Sequence, residues 1–240
     1  MYPGQPHIKG KQNMATSGQG IGYTGEDSLE EYISAHIDAE DDLLRDIYRQ
    51  TNLKLLNPRM ASGHIQGQLL KMLVTMIKPL TVLEVGTFTG YATLCMAQGL
   101  PLEGVIHTVE IDDELEDFIR KGFERSPYSH RIQLHIGDAL KVVPRLGLMY
   151  DLIFLDGEKR EYPDYYTALM DYLNPGGYMI ADNTLWDGHV ADTGYDADPQ
   201  TIAVRRFNDM VRADERVEKA MIPIRDGLTI IRKKLTDNSQ

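Results

Sequence analysis

Thiol and indole are nearly absent: the 240 residues include one cysteine, Cys95, and one tryptophan, Trp186. A lone thiol excludes an internal disulfide framework and fits a reducing compartment. No stretch approaches the roughly 18 uninterrupted apolar residues of a membrane span. The start, Met1-Tyr-Pro-Gly, lacks the charged-then-apolar order of a secretory leader. A cytoplasmic protein without membrane partners is therefore expected. Cations are scarce too, with 25 Lys and Arg against 36 Asp and Glu and a formal charge of −11. That balance argues against broad binding to nucleic acid, although a local basic patch would still permit an RNA substrate. The imbalance is steepest between Glu26 and Arg49, where nine acidic residues face only Arg45 and Arg49.

What is present suits a globular α/β chain, with 42% hydrophobic residues spread as short runs. Residues 1–25 carry six glycines and few aliphatic side chains, so they read as a flexible tail ahead of a domain spanning 26–240. Ser28-Leu-Glu-Glu31 has capping-box spacing, and Leu29, Tyr32, Ile33, Ile37, Leu44, Ile47 and Tyr48 follow at helical period. A second helix is expected over 63–77, with Ile65, Leu69, Leu70, Leu73 and Met76 inward and Pro79 as its stop.

From Thr81 onward, β-rich runs at 81–85, 105–109, 132–136, 152–155 and 178–181 alternate with helical stretches near 91–100, 113–126, 139–146 and 163–173. This alternation predicts a doubly wound, mostly parallel sheet with helices on both faces. After a helix near 201–213, Asp226-Gly227 separates two apolar runs, and this predicts a closing antiparallel hairpin.

Ligands of such sheets gather beyond the carboxyl ends of the strands. Acidic residues stand at or just past all five parallel strand ends: Glu84, Glu110, Asp138, Asp156 and Asp182. The first loop, Glu84-Val-Gly86-Thr-Phe-Thr-Gly90-Tyr91, matches neither the dinucleotide fingerprint nor a phosphate loop. Acid beside glycine there would repel a pyrophosphate and suits a cationic cofactor without phosphates. Glu110 is placed to accept ribose hydroxyls, and Asp138 to lie at an adenine edge. Asp156 and Asp182-Asn183 form a hard oxygen set that suits Mg²⁺, with Ca²⁺ or Mn²⁺ as alternatives.

At this point the sequence resembles the metal-dependent class I O-methyltransferases of the catechol and caffeoyl-coenzyme A type. The resemblance runs from about Leu53 to the C-terminus. It rests on Met60-Ala-Ser62, Gly67-Gln68-Leu-Leu70, the Glu84–Tyr91 loop, Asp156 with Lys159 three residues on, and Asp182-Asn183 followed by Leu185-Trp186. It implies a Rossmann-like sheet of seven strands, bound S-adenosylmethionine, and a homodimer, with helices of residues 26–80 contributing to the acceptor site and to dimer contacts. It makes Asp156, Asp182 and Asn183 the metal ligands and Lys159 the general base. Met60, Ser62, Glu84, Gly86, Thr87, Tyr91, Glu110, Asp138, Ala139 and Asp156 become the cofactor set. Two departures stand out: Ala92 replaces a serine common in relatives, and Glu110 replaces an aspartate.

The implied reaction is methyl transfer to a hydroxyl of a small catechol-like acceptor. The alternative is methylation of 5-hydroxyuridine in tRNA. Acceptor choice is expected to depend on the N-terminal segment and the Trp186–Pro199 loop, including Tyr195. Trp186 either walls the acceptor or packs, and His189 reads as an ordinary loop residue. Cys95 and the methionines at 72, 76 and 96 read as packing.

Overall fold

The computed structural model describes residues 25–235. The expected tail over 1–25 lies outside them except for Gly25, the first residue of α1 (Gly25–His36). The helix of the N-terminal run starts ahead of the Ser28 capping box and does not continue to Tyr48. It breaks over residues 37–41, and α2 (Asp42–Lys54) begins afresh because the Asp41 side chain caps the Leu43 N–H. Helix α3 (Gly63–Ile77) has the expected bounds and ends on a left-handed Lys78 before Pro79. Its buried stripe is Gln66, Gly67, Leu70 and Val74, so the expected inward face is rotated. Met72 and Met76 are exposed, and of the three methionines only Met96 is core.

The sheet has seven strands in the order β3-β2-β1-β4-β5-β7-β6. These are β1 (Thr81–Val85), β2 (Val105–Glu110), β3 (Ile132–Ile136), β4 (Tyr150–Leu155), β5 (Leu173–Asp182), β6 (Val217–Ile222) and β7 (Leu228–Lys233). The first five are parallel, and β7 inserts antiparallel between β5 and β6. Strand β5 begins at Leu173, a residue expected to close a helix.

Side chains alternate between two buried faces, as in a sheet covered on both sides. Val82, Leu152, Phe154 and Ile180 face the layer of α2, α3, α4 (Tyr91–Gly99) and α5 (Glu116–Glu124). Leu83, Val85, Ile153, Leu155 and Met179 face α6 (Ala139–Leu146), α7 (Tyr162–Leu169) and α8 (Pro199–Ala213). Strand order reverses between β1 and β4, and the crevice at their carboxyl ends is where this topology gathers ligands.

Candidate active site

Two backbone bonds close the crevice: Gly86 N–H donates to Val109 O and Asp156 N–H to Val85 O, both at 2.9 Å. A Cβ on Gly86 would sit 2.3 Å from the Asp156 carbonyl oxygen, and its φ is +96°. Only glycine lets the β1 turn pass so close to the end of β4. Phe88 follows with a left-handed φ of 50°, a conformation that costs a non-glycine residue energy. Its N–H donates to Glu110 Oε2 at 2.6 Å, and Asp112 N–H donates to Glu110 Oε1 at 2.9 Å. The carboxylate is thereby fixed at the end of β2.

Glu84 is fully buried on the α4 face of β1. Thr93 and Thr108 both donate to its Oε2, while Oε1 has no hydrogen-bond partner among the described residues. Burial, aided by the charges of Asp156 and Glu110, pushes its carboxyl up to about 8. Thr87 is buried against Thr108, with the two hydroxyls 2.5 Å apart. Asp138 caps α6 through Leu140 N–H and pairs with Lys141 at 3.0 Å, leaving Ala139 buried in the first turn. The Lys141 hydrogen bond holds the Asp138 carboxyl below the usual range. Ser62 is buried at the start of α3, whereas Met60 is exposed in the turn before it. Tyr91 turns toward the break ahead of α2, where its hydroxyl donates to Glu40 at 2.6 Å; both line a cavity of about 170 Å³ with Cys95 and Lys71.

One strand over, Lys159 is buried and donates to Asp156 Oδ1 at 2.7 Å and to Tyr162 Oη at 2.8 Å. The Tyr162 hydroxyl faces the carbonyls of Leu155 (3.1 Å) and Asp182 (3.0 Å), so α7 is tied to both strand ends. Asp182, the last residue of β5, accepts from Asn183 N–H at 2.8 Å and from Gln66 Nε2 at 2.5 Å. Its burial and the nearby Asp156 charge push its carboxyl up to about 6. Asn183 adopts φ 54° and donates through Nδ2 to Asp226 Oδ2 at 3.3 Å. Burial, followed by the adjoining Asp187 carboxyl, raises Asp226 above the carboxylate range.

Among the described residues no group of three His, Cys, Asp or Glu side chains could hold a metal ion. The oxygen set expected from the sequence is smaller in acids, the carboxylates of Asp156 and Asp182 plus the Asn183 amide. Past Asn183, the loop runs through left-handed Trp186 and Asp187 to His189, which stacks on Tyr195 with ring centroids 3.5 Å apart. Arg205 on α8 fastens this loop, donating to the carbonyls of His189, Val190 and Asp192 and to the Asp196 carboxylate.

Gln66, Tyr162 and Arg205 were absent from the sequence reading, Phe88 entered it only within the β1 loop, and Asp226, with Arg225 before it, only as a turn between apolar runs. Tyr162 lies one residue ahead of the helix expected over 163–173 and had a local signal, three residues past Lys159. Gln66 and Arg225 had none, because their partners lie more than a hundred residues away in the chain.

An O-methyltransferase family model matches residues 31–234. A catechol O-methyltransferase of Niastella koreensis is 30% identical, covering 82% of this chain and 90% of its own. Caffeoyl-CoA O-methyltransferase 2 of Petunia hybrida is 34% identical, covering 72% and 76%. Among solved structures, an O-methyltransferase from Bacillus cereus in complex with SAH superposes with TM-score 0.81 at 27% identity, covering 86% of this chain and 97% of that one. TomG of Streptomyces achromogenes, in complex with SAM, gives 0.80 at 27%, covering 86% and 96%.

Proposed function

The chain belongs to the O-methyltransferase family and is by that membership an S-adenosylmethionine-dependent enzyme, and from that premise we propose that it methylates a hydroxyl of a small catechol-like acceptor with a divalent ion. The observation that carries this reading is the meeting of Asp156, Lys159 and Asp182 at the adjacent ends of β4 and β5.

The residues fit the cofactor. Glu84, Glu110 and Asp156 lie close enough for the other two charges to raise Glu84, and one buried Glu84 oxygen is unpartnered among the described residues. Such a rim favours a cation. Gly86 lets the ends of β1 and β4 meet beneath the cofactor, and Glu110 presents fixed oxygens suited to a diol. Ser62, Thr87, Asp138 and Ala139 would complete the lining.

They also fit a hard divalent ion. Asp182 is pushed up to about 6 with Asp156 among the causes, a repulsion that bound positive charge relieves. Asp156, Asp182 and Asn183 would hold Mg²⁺, or alternatively Mn²⁺ or Ca²⁺, through oxygen. When bound, the cofactor supplies an electrophilic methyl group and the ion supplies Lewis acidity toward two adjacent acceptor oxygens.

The chain's own part is alignment and proton handling. Lys159 acts as the neutral amine, taking the hydroxyl proton at Nζ to become the ammonium, and Asp156 and Tyr162 hold that nitrogen in place. The Trp186–Tyr195 loop closes one side of the acceptor and limits water there. The test is methylation of catechol and of caffeoyl-CoA, followed by mass spectrometry, with Mg²⁺ and with excess EDTA. Methylated product that disappears with chelator is expected. Full turnover in EDTA would remove the ion, and failure with every vicinal diphenol would remove the acceptor class. A homodimer is part of the same reading, checked by light scattering.

A further inference from the structure

Arg225 lies in the turn joining β6 to β7 with a left-handed φ of 46°. A strained non-glycine backbone persists where its surroundings hold it. Here the guanidinium is held by the segment leading into α3. Nη1 donates to the Ser62 carbonyl, to the Ala61 carbonyl at 3.3 Å and to Gln66 Oε1 at 2.8 Å, while Nη2 reaches Arg59 O at 3.5 Å. Gln66 is 2% exposed, and its other end donates to Asp182 Oδ2.

The chemistry of this chain is directional. A guanidinium only donates and an ionised carboxylate only accepts, so the side chain between them must do both. Glutamine does so; glutamate in that place would lack the donor and lysine the acceptor. Two parts of the site thus share one relay: the Arg59–Ser62 segment, whose Ser62 is proposed to line the cofactor, and the carboxylate proposed to hold the ion.

We propose that Arg225 and Gln66 are positioning residues that link the two, so that ordering the Arg59–Ser62 segment around the cofactor also fixes Asp182 for the ion. This rests on the function proposed above. Each ligand then strengthens the other by the same factor, as linkage requires.

Calorimetric titration of Mn²⁺ with and without S-adenosylhomocysteine reads that factor directly. The homocysteine form carries no sulfonium charge, so charge repulsion between ligands does not enter. For the unmodified protein, S-adenosylhomocysteine should tighten Mn²⁺ about fivefold or more. In Gln66→Leu both ligands should still bind, with Mn²⁺ weaker by about tenfold or more, and the tightening should vanish. Arg225→Lys keeps the charge but loses the fork, and should weaken S-adenosylhomocysteine in the metal-free protein by about tenfold. A purely structural role would lower the melting temperature of Gln66→Leu and leave the linkage intact, which overturns the proposal. So does an unmodified protein that binds both ligands independently. An unmodified protein that binds S-adenosylhomocysteine but no Mn²⁺ instead defeats the proposed metal function, and the carboxylate arm of the relay with it.

Discussion

Lys159 owes its position to two oxygens, Asp156 Oδ1 and Tyr162 Oη, and each makes a separate demand on its chemistry. If Nζ receives the acceptor proton, Lys159→Met should cut kcat by roughly 10²–10⁴-fold while leaving S-adenosylhomocysteine affinity near that of the parent. Single-turnover rates beside a binding titration separate the two, and an unchanged kcat removes the base role. Tyr162→Phe is a subtler probe. It deletes an acceptor for the buried Lys159 nitrogen and the link to the carbonyls of Leu155 and Asp182, so stability should fall by about 1–3 kcal/mol. Urea unfolding measures that loss. The Lys159–Asp156 pair was visible in the sequence because Lys159 follows Asp156 by three positions just past a strand. Gln66 was not: it sits 116 residues from Asp182, and nothing local distinguishes it from a surface glutamine.

At the scale of elements, the turn after β1 and the loop before α8 carry different loads. Gly86→Ala would place a methyl 2.3 Å from the Asp156 carbonyl in a backbone of φ +96°. Stability should fall by more than about 1 kcal/mol, and cofactor affinity should fall with it because the ends of β1 and β4 must part. A variant that unfolds at the parent's urea midpoint would contradict this. Arg205→Ala should instead leave the core alone and free the loop from His189 to Asp196. Acceptor KM is expected to rise about tenfold with S-adenosylhomocysteine binding unchanged, and hydrogen exchange should increase in that loop. If exchange rises while KM stays fixed, the loop has no part in acceptor choice.

The strands and later helices were legible because burial on both sheet faces leaves short apolar runs between strongly periodic helices. The first helices were less so. Ile33 and Ile37 continue a period across the break at residues 37–41, and only the Asp41 cap marks the restart. The α3 stripe rotated because Gly67 lets that helix press onto Tyr91 and Cys95, a contact that depends on a missing side chain rather than an apolar one.

For the whole molecule, the site has a consequence in the pH dependence of folding. Glu84 ionises near 4.5 when unfolded and is pushed up to about 8 in the fold, chiefly by burial. Between those values the unfolded chain has lost a proton that the folded one keeps. Stability therefore declines as pH rises from about 4.5 to about 8 and levels off above. Asp182 acts with the same sign between about 3.8 and about 6. The half-buried pair His107 and His135, stacked on β2 and β3, acts oppositely. Burial lowers both from 6.5, so their contribution disfavours folding as pH falls below that value. Asp214, held down at about 2 by Arg216, loses its contribution only as pH falls from 3.8. The interval from about 6.5 to about 8 thus isolates Glu84 from these groups. Urea denaturation across that interval should show the parent weakening with pH and Glu84→Gln remaining flat. Parallel slopes for the two proteins would mean that Glu84 is already ionised in the fold at neutral pH. In that case the negative rim proposed to receive the cofactor is charged before the cofactor arrives.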